Sequence, residues 1–188
     1  MRLPAGFIPN RTATLCASRF FLLLPLFAFS VNAVEVKPWN GGATPPLELK
    51  DLSGSVRTLA DWRGKVLVVN FWATWCEPCI EEMPSLQKLG QRHAARGLDV
   101  MGVNLAEGEA RIQSFMKKTG VDMTVLLDRD GVAKTDWKVR GVPATYVIGR
   151  DGRIKFTIVG QVDFADRALE RKITALLSPS KPRNKPSL

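Results

Sequence analysis

Cys76 and Cys79, separated by Glu77 and Pro78, stand where the apolar, β-branched run Lys65 to Phe71 gives way to helical spacing. A helix opening here leaves unpaired N–H groups and the positive end of its dipole at Cys76, conditions that favour a thiolate. Three chemistries use two cysteines at this interval. A structural disulfide would close a loop with two intervening residues, where the loop-entropy benefit is near the bottom of its range. A zinc half-site needs two further ligands, and His93 is the single histidine of the chain, so zinc would require a partner chain. Thiol–disulfide exchange needs only the two sulfurs, with no metal and no cofactor, and is the reading the interval favours.

The elements that must position this pair follow from hydrophobic periodicity. Lys65 to Phe71 reads as a central strand covered on both faces, preceded by a turn at Asp61-Trp62-Arg63-Gly64. Leu47 to Leu49 and Val56 to Leu59 flank Ser53-Gly54 as a hairpin. A helix follows the cysteines to about Ala95, with Pro84 predicting a kink through loss of the bond to Ile80. Leu98 to Asn104 reads as a buried strand, Glu107 to Thr119 as a helix closed by Gly120, and Met123 to Leu127 as a third strand. After a short helical stretch at Val132 to Trp137, Ala144 to Ile148 and Arg153 to Val159 alternate about Asp151-Gly152 as a second hairpin, and Phe164 to Leu177 is helical. Strands alternating with helices and ending in a hairpin predict an α/β domain with a mixed sheet.

Composition limits the partners. With 188 residues, 45% hydrophobic and 24% charged, the chain matches one globular domain with extensions. The net charge of +9 is concentrated at the ends, with Arg2, Arg11 and Arg19 before the first acid, Glu35, and Lys181, Arg183 and Lys185 in the tail. The middle of the chain carries no basic stripe with interleaved aromatics, which argues against nucleic acid. Phe20 to Val34 is uncharged and mostly apolar and ends in Val31-Asn32-Ala33, the pattern of a secretory signal over residues 1–33. Its rival is an uncleaved membrane anchor through residues 20–34, disfavoured by the length of the run and by Pro25. Cleavage removes Cys16, leaving Cys76 and Cys79 in an exported, oxidising, periplasmic or extracytoplasmic setting. Residues 34–177 form the expected domain, and 178–188, rich in Pro, Ser and basic residues, a disordered basic tail.

Leu59-Ala60-Asp61-Trp62-Arg63-Gly64-Lys65, Val69-Asn70-Phe71-Trp72-Ala73-Thr74-Trp75-Cys76-Glu77-Pro78-Cys79 and Gly141-Val142-Pro143-Ala144-Thr145-Tyr146 resemble the TlpA/ResA-type extracytoplasmic thioredoxins. The resemblance covers roughly Leu47 to Leu177. It implies a thioredoxin fold, with a mixed central sheet flanked by helices, an N-terminal hairpin and an inserted strand-helix unit, placed at Leu98 to Thr119. It also implies thiol:disulfide reductase activity, with Cys76 attacking, Cys79 resolving and Pro143 in cis beside them. A cis Val142-Pro143 bond would leave backbone groups free to pair with an extended substrate. Trp75, Glu77, Pro78 and Val142 then form the substrate surface, with Trp72 also walling the site. The implied partners are a disulfide-bearing protein substrate and a membrane-bound thiol reductase as electron donor, acting on a monomer.

Cytoplasmic thioredoxins carry an acid where this chain has Asn70, and an amide cannot accept the resolving thiol's proton. At about 100° per residue, Glu82 falls on the apolar side of the Cys-bearing helix, between Leu86 and Leu89, whereas Glu81 falls on the polar side. Desolvation there raises a carboxyl pKa, which suits a proton relay. The competing reading has Glu82 reaching out to water. His93 reads as a surface helix residue.

A reductant has competitors. A disulfide-forming oxidase shares the motif, but Glu77 disfavours the thiolate and so leaves the reduced form weakly stabilised, as in a reductant. A peroxide-reducing enzyme expects a Thr where Ala73 stands. A chaperone binding a soft metal or unfolded clients lacks a Met- or His-rich cluster. A role in cytochrome c maturation is weakened by Ala144, since relatives serving it often carry an acid directly after the cis proline.

Overall fold

The computed structural model describes residues 35–178; the expected signal or anchor, Cys16 and the tail beyond Ser178 lie outside the described residues. Two sheets form. The larger has six strands in the order β1 (Glu35–Pro38), β8 (Ile154–Val159), β7 (Ala144–Ile148), β4 (Val66–Trp72), β5 (Leu98–Leu105) and β6 (Thr124–Asp128). The smaller is the expected hairpin of β2 (Glu48–Lys50) and β3 (Val56–Thr58). It bridges to the larger sheet at Asp51 and Leu126.

Strand β4 explains its own composition. It pairs in parallel with β5 and antiparallel with β7, and every residue from Val66 to Trp72 is buried. Both faces are covered, so no polar alternation is needed. Val66 and Val68 pack with Leu86 and Leu89 on one side, while Leu67, Val69 and Phe71 join Trp137 and Tyr146 on the other. The last residues of β4 deliver the chain to the cysteines.

Helix α1 (Glu77–His93) starts directly after Cys76, with Pro78 in its first turn, where a missing N–H costs nothing, and Arg92 and His93 in its last turn, complementing the dipole. It buries Cys79, Met83, Leu86 and Leu89 against the sheet and continues through Pro84, which is exposed. Helix α2 (Glu109–Thr119) ends at Gly120 in the left-handed conformation, a position that favours glycine. Helices α3 (Val132–Asp136) and α4 (Arg167–Thr174) complete the set. Among the described residues no helix is long and apolar enough to cross a membrane.

One strand differs from the sequence expectation. β1 was not anticipated: its four residues are mostly exposed and include Pro38, so no alternation marks it. Strand β5 lies inside the sheet, paired in parallel with β4 and with the edge strand β6.

Candidate active site

Cys76 is the N-cap of α1 and Cys79 lies in its first turn. The two are joined in a disulfide, with Cα atoms 5.3 Å apart. The Cys79 backbone N–H donates to Cys76 Sγ at 3.3 Å, and the N–H groups of Cys79 and Ile80 donate to the Cys76 carbonyl, each at 3.1 Å. In the reduced protein this donor-rich helix start favours negative charge on the Cys76 sulfur.

Around the pair the predicted residues divide. Trp72, Ala73, Cys76, Cys79 and Met83 share one buried cluster, and Val142 packs against it. The Val142-Pro143 bond, just ahead of β7, is cis. Trp75 is 65% exposed, and Glu77 and Pro78 are exposed beside it. Trp72 is not part of that surface: it is wholly buried, with its ring 5.3 Å from that of Phe115. Gly102 on β5 makes room for it, since a Cβ there would meet Trp72 Nε1 at 2.7 Å. His93, expected on the surface, is half-buried and lies 2.6 Å from Glu170 Oε1, tying α1 to α4.

Glu82 lies on the buried side of α1 at 2% exposure. Its Oε1 accepts from Asn70 Nδ2 at 2.7 Å and its Oε2 from the Val162 N–H at 3.1 Å. Burial pushes its carboxyl up to about 7, against the opposing pull of the hydrogen bonds from Val162 and Asn70. Asn70 Nδ2 also donates to Thr145 Oγ1 at 2.9 Å. Glu81 is exposed and accepts from Gln161 Nε2 at 2.6 Å.

A second carboxylate was missed by the sequence reading, which placed Glu107 merely at a helix start. Glu107 is buried, and Thr74 donates to it twice, from N–H to Oε2 at 2.6 Å and from Oγ1 to Oε1 at 2.5 Å. Asn104 Nδ2 donates to Oε2 at 2.8 Å, and Arg111 pairs with Oε1 at 2.9 Å. Burial raises its pKa, but the bonds from Thr74 and Asn104 and the Arg111 charge outweigh this and hold the carboxyl below its ordinary value. Glu107 thus fixes Thr74, two residues before Cys76. The Glu107/Arg111 spacing of one helical turn was the available signal. Among the described residues no group of three or more His, Cys, Asp or Glu side chains is arranged to hold a metal.

Comparison with known proteins agrees with this geometry. The profile of the AhpC/TSA family matches residues 41–157. The thiol-disulfide oxidoreductase ResA of Geobacillus kaustophilus is 31% identical over 136 residues, covering 72% of this chain and 77% of the relative. ResA of Bacillus subtilis is 30% identical over 146 residues, covering 78% and 79%. A Chlorobium tepidum structure assigned as a thiol:disulfide interchange protein of DsbE type superposes with a TM-score of 0.68 at 30% identity, over 76% of this chain and 98% of that one. Carrying a helix-capping Cys76–Cys79 disulfide on this sheet, the chain belongs to the AhpC/TSA family and, within it, to the ResA-type thiol-disulfide oxidoreductases.

Proposed function

We propose that the protein works as an exported reductant of protein disulfides. In the reduced form, Cys76 thiolate attacks one sulfur of a client disulfide, forming a Cys76–client bond as the client S–S bond breaks and the departing thiolate takes a proton. Cys79 then gives its proton to Glu82 and attacks Cys76 Sγ, releasing the second client thiol and leaving the Cys76–Cys79 disulfide. Two electrons and two protons from a membrane-bound dithiol reductase restart the cycle. Trp75, Glu77, Pro78 and Val142 form the docking surface, and the cis Pro143 region offers backbone groups to an extended client.

The observation that carries the direction is the placement of acids, Glu77 between the cysteines and Glu82 buried on the same helix face as Cys79. Both oppose thiolate formation, so the dithiol form is weakly stabilised and gives up electrons readily. The export reading rests on Phe20 to Ala33. Equilibration with glutathione tests the direction: a potential at or below about −230 mV is expected, and a value near −120 mV would place the protein with the oxidases. A Cys79→Ala variant should accumulate a mixed disulfide with the client, identifiable by mass.

A further inference from the structure

Asn70 occupies the point where the sheet meets the buried acid, and it is incompletely used. Its Nδ2 donates both to Glu82 Oε1 and to Thr145 Oγ1, whereas its Oδ1, fully buried, has no hydrogen-bond partner. Asn70 and Thr145 are direct cross-strand partners on β4 and β7, so the Thr145 hydroxyl anchors the amide from the neighbouring strand. Thr145 itself is buried, two residues beyond the cis Pro143.

Glu82 has few other correspondents. From the segment after β8 it receives the Val162 N–H. Its own helix carries the Cys76 and Cys79 sulfurs on the N-terminal side, and no cation among the described residues acts on it. A carboxylate at this point needs donors, but a carboxylic acid must place its own O–H on an acceptor. A backbone N–H serves only the first form. An amide serves both, because rotation of about 180° around its last side-chain bond exchanges NH2 for oxygen without moving the strand. Thr145 permits the exchange, since its hydroxyl accepts in one arrangement and donates in the other; reversal moves the unpartnered position from Oδ1 to Nδ2, a cost that the bond from the Glu82 acid must offset.

We propose that Asn70, anchored by Thr145, is a positioning residue that reverses its amide as Glu82 gains or loses a proton, presenting Nδ2 to the carboxylate and Oδ1 to the acid. The catalytic consequence rests on Glu82 being the acceptor of the Cys79 proton; the coupling of Asn70 to Glu82 does not. Loss of the amide takes a donor from the carboxylate and an acceptor from the acid; because the hydrogen bond to the charged form is the stronger of the two, the net result is a raised proton affinity of Glu82. Loss of the Thr145 hydroxyl loosens the amide and raises it less.

The test follows the Glu82 side-chain carboxyl carbon by NMR across pH in the oxidised protein, in the parent and in Asn70→Leu, Thr145→Val and the double variant. Expected are an increase in Glu82 proton affinity of about tenfold in Asn70→Leu, a smaller increase in Thr145→Val, and a double variant indistinguishable from Asn70→Leu, because Thr145 acts through Asn70. In the parent the Asn70 side-chain NH2 resonances should titrate with the Glu82 midpoint and become insensitive to pH in Glu82→Gln. An unchanged Glu82 titration in both single variants, multiplying effects in the double variant, or NH2 resonances indifferent to the Glu82 titration would overturn the proposal. Thr145→Val removes one hydroxyl and keeps the test alive if Asn70→Leu does not fold. If the Glu82 titration moves as expected while the pH profile of thiol exchange does not follow it, the coupling stands and the relay role of Glu82 fails.

Discussion

Glu82 and Glu107 are both buried, both close in sequence or space to the Cys76 segment, and opposite in behaviour. Glu107 receives three neutral donors and the Arg111 cation; Glu82 receives one amide and one backbone N–H. Burial costs each its water, and the number and charge of the replacement donors decide the outcome. Glu107 is held below the ordinary carboxylate range and acts as a charged brace for Thr74. Glu82 is raised to about 7, so its protonation changes near neutral pH. A buried acid is thus structural or chemical according to its partners, not its depth.

The largest expected effect falls on the under-partnered acid. Glu82→Gln should slow thiol exchange by about 10²-fold and alter the pH dependence of Cys76 alkylation, while Glu81→Gln does neither. Paired pH-rate series on the two variants check this, and equal behaviour would assign the proton to water.

The two acids should also act oppositely on stability. For Glu82 the folded value of about 7 lies above the ordinary 4.5, so the folded state binds more protons between those values, and stability falls as pH rises from about 4.5 to about 7. The full cost above that window is roughly 3 kcal/mol. Denaturant titrations should find Glu82→Gln more stable than the parent at pH about 8, with the gain fading toward pH about 4. Glu107, with a depressed value, stabilises above the ordinary range and loses that contribution as pH falls through its folded pKa. Glu107→Gln should therefore cost about 2 kcal/mol at neutral pH and leave the pH profile of exchange near neutrality in place. A changed profile with unchanged stability would erase the distinction between the acids.

The smallest effect concerns the surface. Trp75→Ala should raise the KM for a protein disulfide a few-fold, consistent with loss of an exposed aromatic contact, without changing exchange with a small disulfide. Equal losses on both substrates would move Trp75 from docking to chemistry.

How much of this was legible in the sequence depended on range. Strand β4, the start of α1 at Cys76 and the β7–β8 hairpin are written in local periodicity and turn residues, and they appear as expected. Helical projection placed Glu82 on the apolar side, but its partners, Asn70 from β4 and Val162 from beyond β8, are set by tertiary contact. Glu107 showed in the sequence only through its spacing from Arg111, because Thr74, the residue it braces, lies 33 positions away. His93 was misplaced because Glu170, 77 positions distant, covers it. Trp72 and Trp75 were indistinguishable by type; the pleat of β4 buries the first, and the turn after it releases the second.

The register of the sheet has a consequence for anything attached at Glu35. Glu35 stands opposite Val159, Val159 opposite Ala144, and Ala144 opposite Phe71. These four residues form one row across the sheet, at the end where β4 runs into the cysteines. The chain therefore enters the domain on the reactive side, three strand spacings, roughly 14 Å, from the strand that carries the disulfide. A fluorophore attached at Glu35 would therefore sit at the same end of the sheet as the disulfide, and a bulky group placed there would crowd that rim.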